Sequence, residues 1–377
     1  MSYRRTRALF VKELRHITRD PLSLAMALAV PVLMLLLFGF ALSLDVDRIP
    51  TLVYDQDGTP ASRDLVHEFQ GSRYFQIRGF VEHYDGIERG IDRDQILMGV
   101  VIPRDYSKNV AAGREAPVQI LIDGSDSNTA AIALGYVDSL MQSYALTLRS
   151  DMQNRKGAGE VQPPVDARLR VWYNSSLESK NYVVPGLIAV ILMIIAALLT
   201  SLTIAREWEM GTMEQVLSTP MRPTEMVLGK MLAYFAVGLA DTAIVVVVGI
   251  VLFRVPFRGS IVMLAVSSCL YLSGALFWGI FISAWAKTQL LAYQAALISS
   301  FLPAFLLSGF IYAIETMPPV IQAITYVVPA RYFVTILKGV FLKGVGFQLL
   351  WGELGLLVLY AAIVFLLATR KLNQKLA

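Results

Sequence analysis

Little in this 377-residue chain has the residue types and spacing that chemistry demands, and the clearest candidate is a charged run between two apolar stretches. It reads Arg206-Glu207-Trp208-Glu209-Met210-Gly211-Thr212-Met213-Glu214 and closes on Thr219-Pro220. Steps of three and four residues put Glu207, Met210, Gly211 and Glu214 on one face of a helix that Pro220 ends. On spacing alone that face is either solvated surface or a place for a partner to press. Two further carboxylates, Asp241 and Glu353, stand inside apolar stretches, the first near the middle and the second nearer an edge. A lone carboxylate at mid-bilayer costs on the order of 3 kcal/mol on insertion scales, so Asp241 is expected to face the bundle interior, be protonated or pair with a partner. There it bonds a neighbouring helix or lines a pathway.

The other reactive types fall where they can do little. His16, His67 and His83 all lie outside the apolar stretches, which excludes an intramembrane Ser/His protease and a histidine proton relay. Gly229-Lys230-Met231 lacks the earlier glycine and the Ser/Thr of a P-loop, so the chain hydrolyses no nucleotide by that route. Cys269 is the only cysteine, which rules out an intrachain disulfide and a Cys-based zinc site. The acidic turns Asp55-Gln56-Asp57-Gly58 and Asp123-Gly124-Ser125-Asp126 invite comparison with calcium loops. Their twelfth positions are Val66 and Leu134 rather than Glu, and capping of the helices that follow accounts for them. No catalytic residue, metal ligand set or resident cofactor is expected.

The elements that must position these residues follow from composition. The chain is 55% hydrophobic and 16% charged, against about 25% charged for a soluble protein. Between residues 45 and 180, 35 of 136 positions are charged; elsewhere only 27 of 241 are. One hydrophilic domain inserted into a polytopic membrane protein explains the contrast. Six stretches reach the ~20 residues that cross a bilayer: Leu22–Leu44, Tyr182–Ala205, Val227–Phe253, Ser260–Ala286, Gln289–Tyr312 and Phe347–Thr369. Their backbones must close their own hydrogen bonds, so they are helices. With an even number of spans, both termini share a side. That side collects 13 basic residues, from Arg4 to Lys375, against 5 in the short loops opposite, which makes it cytoplasmic. Cleavage after Ala41-Leu42-Ser43 is the competing reading of the first span, but its 23 apolar residues exceed the ~7–15 of a signal peptide. The basic residues crowd the edges of the spans, which suits anionic lipid headgroups better than nucleic acid.

The expected divisions are an interfacial helix over 1–21, a first span over 22–44, an extracytoplasmic α/β domain over 45–180 and the remaining spans over 181–377. In the α/β domain, strands at Ile49–Tyr54, Tyr74–Phe80, Ile96–Ile102 and Val118–Ile122 alternate with helical patterns. A long helix from Thr129 to Arg155 carries Val137, Leu140, Met141, Tyr144, Leu148 and Met152 on one face, for its own sheet or for a partner protein. A tip over 156–164 precedes a returning strand at Ala167–Tyr173. Val320–Val328 and Arg331–Leu342 reach only ~13 and ~18 Å as helices, so they are read as a re-entrant hairpin within 316–343.

The run from Arg206 to Pro220 resembles the cytoplasmic gate and coupling region of ABC-2 type transporter permeases. Arg206, Glu207, Glu209, Gly211, Thr212, Glu214, Thr219 and Pro220 carry the likeness. Lys12-Glu13 through Asp20-Pro21 is similar to the family's amino-terminal interfacial helix, and Val184-Pro185-Gly186 to the start of its second span. Leu307-Ser308-Gly309, followed by Pro318, Pro319, Gln322 and Pro329, resembles its fifth span and the hairpin that caps the exit of its pathway. The outer domain, with Val101-Ile102-Pro103 and Ile122-Asp123-Gly124, resembles the multidrug-exporter subgroup.

The resemblance implies a type V exporter-like fold and a permease that moves drug-like or amphipathic substrates without being an enzyme itself. It implies cytoplasmic ATPase subunits holding magnesium-ATP and pressing on Lys12, Glu13 and the segment 206–226. A second permease copy or related permease, a periplasmic adaptor with an outer-membrane channel, membrane lipids and a bacterial inner-membrane setting are implied too. Asp241 and Glu353 would line or support the pathway. The residues also admit a proton-coupled secondary transporter using Asp241, or a membrane-anchored receptor.

Overall fold

The computed structural model describes residues 2–42, 48–155, 173–174, 178–286 and 288–376, in two compact units. One comprises Met1–Ser43 with Val171–Ala377 and the other Leu44–Arg170. Helix α1 (Tyr3–Arg19) buries Thr6, Leu9 and Glu13 at three- and four-residue steps and exposes Arg4, Arg7, Arg15 and Arg19. A residue before proline avoids helical backbone, so the chain breaks at Asp20 before α2 (Pro21–Ala41) begins.

The second unit runs β1 (Ile49–Asp55), α3 (Pro60–Gly71), β2 (Phe75–Phe80), α4 (Tyr84–Asp92), β3 (Met98–Ile102), α5 (Tyr106–Ala111), β4 (Gln119–Ile122) and α6 (Ser127–Arg155). Its sheet has the order β2-β1-β3-β4, with β1 parallel to both neighbours and β4 antiparallel to β3. Both faces are covered. Val53, Phe69, Val100 and Val137 share one core, while Ile87, Ile96 and Val101 form another, so β3 is apolar and buried along its whole length. A Cβ on Gly99 would stand 2.2 Å from Ile87, which is why only glycine lets α4 lie so close to β3. The apolar face of α6 packs through Val137 and Tyr144 into its own unit's core. The acidic turns are closed by their own hydrogen bonds: Asp55 accepts from the N–H groups of Asp57 and Gly58 at 3.0 Å and from Ser62 Oγ at 2.7 Å. Bonds from the Ser125 hydroxyl and N–H hold the Asp123 carboxyl below the usual carboxylate range. The tip over 156–164 and the returning strand, save Tyr173, lie outside the described residues.

The first unit continues with α7 (Lys180–Glu209), α8 (Met213–Leu217), α9 (Pro223–Val251), α10 (Ile261–Trp285), α11 (Gln289–Leu306), α12 (Pro319–Thr325), α13 (Pro329–Lys338) and α14 (Phe347–Leu376). Five of these, α7, α9, α10, α11 and α14, are long and apolar enough to cross a membrane. The pair α12–α13, bent by 83°, is a broken span or a re-entrant loop, and α2 carries a shorter apolar stretch, Ala27–Ala41. Helix α7, with a mean hydropathy of 2.8 over an 18-residue stretch, is buried without a break from Val183 to Ala197 and packs on α2, α9, α10, α11 and α13. Its contact with α10 is close because a Cβ on Gly279 would fall 2.1 Å from Thr200 Oγ1. The same hydroxyl donates to the Leu276 carbonyl at 2.9 Å.

The structure departs from the sequence expectation at three places. Glu207 and Glu214 do not share one helix face, because Gly211 adopts φ +70° and ends α7 before α8 starts. A left-handed glycine is the usual helix stop. The fifth span is helical only to Leu306, with Gly309 at φ +76° turning the chain. In the hairpin, the arm expected over Val320–Val328 is helical only over Pro319–Thr325 and leaves Val320 and Val327 exposed; α13 is the arm buried in the bundle.

Candidate functional site

Three helices distant in sequence meet through buried charge. Gly229 of α9 lets α1 approach, since a Cβ there would stand 2.9 Å from Leu9. That approach brings Lys230 beside Glu13. Lys230 Nζ donates to Glu13 Oε1 at 2.9 Å, to Glu207 Oε1 of α7 at 3.1 Å and to the Thr203 carbonyl at 3.4 Å. Lys12 donates to the same Glu207 oxygen at 3.1 Å. Two ammonium and two carboxylate groups therefore balance. The Lys230 and Glu13 side chains are 1% and 4% exposed, and a pair so buried is strongly destabilised when one partner is lost. Lys12 is half-exposed. Burial would lower its basicity, but the Glu207 carboxylate, and after it Glu13, hold it above the ordinary lysine value. Glu207 Oε2 is buried and has no hydrogen-bond partner among the described residues.

A second tie fastens the same helix lower down. Glu225 accepts from the Ser2 N–H at 2.5 Å and from the Arg222 N–H at 3.1 Å, while Arg5 lies 3.8 Å from it and donates to the Pro220 carbonyl. Glu209 reaches in another direction: its Oε2 accepts the Gln289 N–H at 2.7 Å and so caps the start of α11. Thr212 donates from its hydroxyl to the Glu207 carbonyl at 3.4 Å. Between these parts lies a crevice of about 620 Å³, lined by Lys12, Glu207, Met210, Thr212, Gln215 and Thr219 among others. Arg206 and Glu214 are exposed and make no side-chain hydrogen bond or ion pair among the described residues.

The structure thus brings Lys12, Glu13, Arg206, Glu207, Thr212 and Thr219 to one crevice, with Glu209, Gly211, Glu214 and Pro220 on the chain around it. It leaves Asp241, Glu353 and the hairpin elsewhere. Asp241 is 1% exposed, and neither of its carboxylate oxygens has a hydrogen-bond partner among the described residues. Glu353 is half-buried in the second turn of α14. Pro319 and Pro329 start α12 and α13, Pro318 precedes the first, and Gln322 Nε2 ties back to the Met317 carbonyl at 2.8 Å. Lys230 is the participant that sequence reasoning missed. Its signal was a lysine just inside an apolar stretch, which must snorkel or pair.

Residues 21–370 match the ABC-2 family transporter protein family. The chain is 36% identical over 346 residues to the probable multidrug ABC transporter permease YbhS of Escherichia coli, covering 91% of this chain and 90% of that one. It is 30% identical to the probable multidrug ABC transporter permease YbhR of the same organism over 96% of both chains. To the inner membrane transport permease YhhJ of that organism it is 23% identical, over 97% of this chain and 96% of that one. With several membrane-crossing helices and a family match across nearly its whole length, the chain is a multi-pass membrane protein and belongs to the ABC-2 family of transporter permeases.

Proposed function

We propose that the chain is the membrane subunit of an ATP-driven exporter in a bacterial inner membrane, moving drug-like or amphipathic molecules out of the cytoplasm or the inner leaflet. Separate cytoplasmic ATPase subunits, holding magnesium-ATP, press on α1 and on the segment from Arg206 to Pro220. Two permeases, identical or related, enclose the pathway. A periplasmic adaptor and an outer-membrane channel receive the cargo. In this reading α2 and the α12–α13 hairpin complete six spans and an exit cap, both termini are cytoplasmic, and residues 45–180 are periplasmic. Asp241, buried within its own subunit, supports the pathway.

The observation that carries the reading is the ion network of Lys12, Glu13, Glu207 and Lys230. It fastens an amphipathic helix to two membrane-crossing helices, so a push on α1 or α7 moves the others as well. Glu209 extends the same linkage to α11. Transport and substrate-stimulated ATPase activity of the assembled complex test this. Glu207→Ala is expected to lower both while the ATPase subunits still co-purify. Full stimulation in that variant would leave the network a purely structural tie, and nucleotide turnover by the purified chain alone would overturn the division of labour.

A further inference from the structure

Beside the coupling crevice lies a second cavity of about 390 Å³, within the ~300–1,000 Å³ of sites for small organic ligands. Its floor and walls are apolar, with Val30 of α2 and Ile195 and Leu199 of α7 among them, and its rim carries His16, Asp20 and Arg206. The apolar part has a definite depth. From Pro21 to Val30 along α2, and from Arg206 to Ile195 along α7, the rise is ~14–17 Å, about half of a ~30 Å hydrocarbon core. The slot is therefore one leaflet deep, polar at the headgroup level and greasy towards the midplane. Val30 and Tyr293, at 38% and 43% exposure, flank an open side, while Ile195 and Val237, at 8% each, close the back.

Arg206 is exposed and its guanidinium has no hydrogen bond or ion pair among the described residues, whereas Asp20 is already engaged. An unpaired guanidinium offers a fork of donors that fits a phosphate or carboxylate. His16, Leu202, Arg206 and Tyr234 border this slot and the coupling crevice alike, so an occupant here touches the wall of the ion network.

We propose that the slot binds an anionic amphiphile of the cytoplasmic leaflet, with one acyl chain along α2 and α7 and the acidic head on Arg206. This rests on the topology of the proposed function and deepens it by naming the charge and build of what the permease admits. The complement of features argues against a purely apolar guest, which would leave Arg206 unused, and against a free anion, which would leave the walls wet.

The full-length chain in neutral detergent, titrated with phosphatidylglycerol, phosphatidylcholine or sodium phosphate and read by native mass spectrometry, tests the proposal. Phosphatidylglycerol is expected to be retained about tenfold better than phosphatidylcholine, and phosphate alone not at all. Arg206→Gln is expected to bring phosphatidylglycerol down to the phosphatidylcholine level. Leu199→Trp, or Val30→Phe should the first variant fail to fold, is expected to reduce retention of both lipids. Equal retention of the two lipids, or undiminished phosphatidylglycerol in the filled variants, overturns the site. Altered self-association of a filled variant with lipid retention intact would give the slot to a second copy of the chain and likewise overturn it. No ATPase subunit takes part in this measurement, so a failed site and a failed transporter reading give different results.

Discussion

Lys230 holds together what its own helix cannot show. It places one ammonium between two carboxylates in a nearly dry setting, and truncating it leaves Glu13 and Glu207 to share the half-exposed Lys12. Lys230→Met is expected to cost ~3–5 kcal/mol of stability. Lys12→Ala, at the half-exposed end of the network, is expected to cost ~1 kcal/mol or less. Thermal unfolding of the purified variants separates the two, and equally small losses would mean the cluster is solvated. Asp241 is the opposite case, a buried carboxylate whose oxygens bond nothing among the described residues. Asp241→Asn removes a charge and no partner, so it is expected to keep or raise thermal stability while transport falls. Wild-type transport at wild-type surface abundance would remove Asp241 from the pathway. The contrast also explains what was legible. Asp241 stood out because a charge inside an apolar run is visible within one helix. The role of Lys230 was hidden because its partners lie 217 and 23 residues away, and pairing between helices leaves no local pattern.

At the scale of elements, the joint at Gly211 matters most. Nothing lies within 4 Å of a Cβ built there, so Gly211→Ala clashes with nothing and pays only for left-handed backbone, ~1–2 kcal/mol. The substitution biases α7 to run on into α8, which would swing Glu214 onto the face of Glu207. Stimulated ATPase activity of the complex is expected to fall several-fold with assembly intact; unchanged stimulation would show that the angle between α7 and α8 carries no signal. The sequence pattern erred here for a physical reason. Three- and four-residue spacing is silent on φ, and the glycine that fits a helical face is also the residue best able to end it. In the second unit the pattern succeeded, because its short apolar strands are bounded by turn residues such as Asp55-Gln56-Asp57-Gly58, which the chain closes on themselves. The α12–α13 pair was legible as two pieces too short to cross, and Pro319 and Pro329 set where each helix starts. Its burial in one arm only depends on packing against α7, α10 and α14, which the sequence does not display.

For the whole molecule, orientation is the property on which the rest depends, and charge decides it. Basic residues from Arg4 to Arg19, with Arg370, Lys371 and Lys375, crowd the two ends of the chain, while the residues from 45 to 180 carry a net charge of −5. If the positive side is cytoplasmic, the crevice at Glu207 and the slot at Arg206 both open towards the compartment where nucleotide and inner-leaflet lipid are found. The test uses the single native cysteine. In a Cys269→Ser background, a cysteine at Ser125, in the exposed turn before α6, is expected to react with a membrane-impermeant maleimide added to intact spheroplasts. One at Asn373, exposed near the end of α14, is expected to react only after the membrane is opened. The reverse pattern would put the acidic unit in the cytosol and the ion network outside. No ATPase could then press on α1, since its nucleotide would lie on the other side of the bilayer from Lys12 and Glu207.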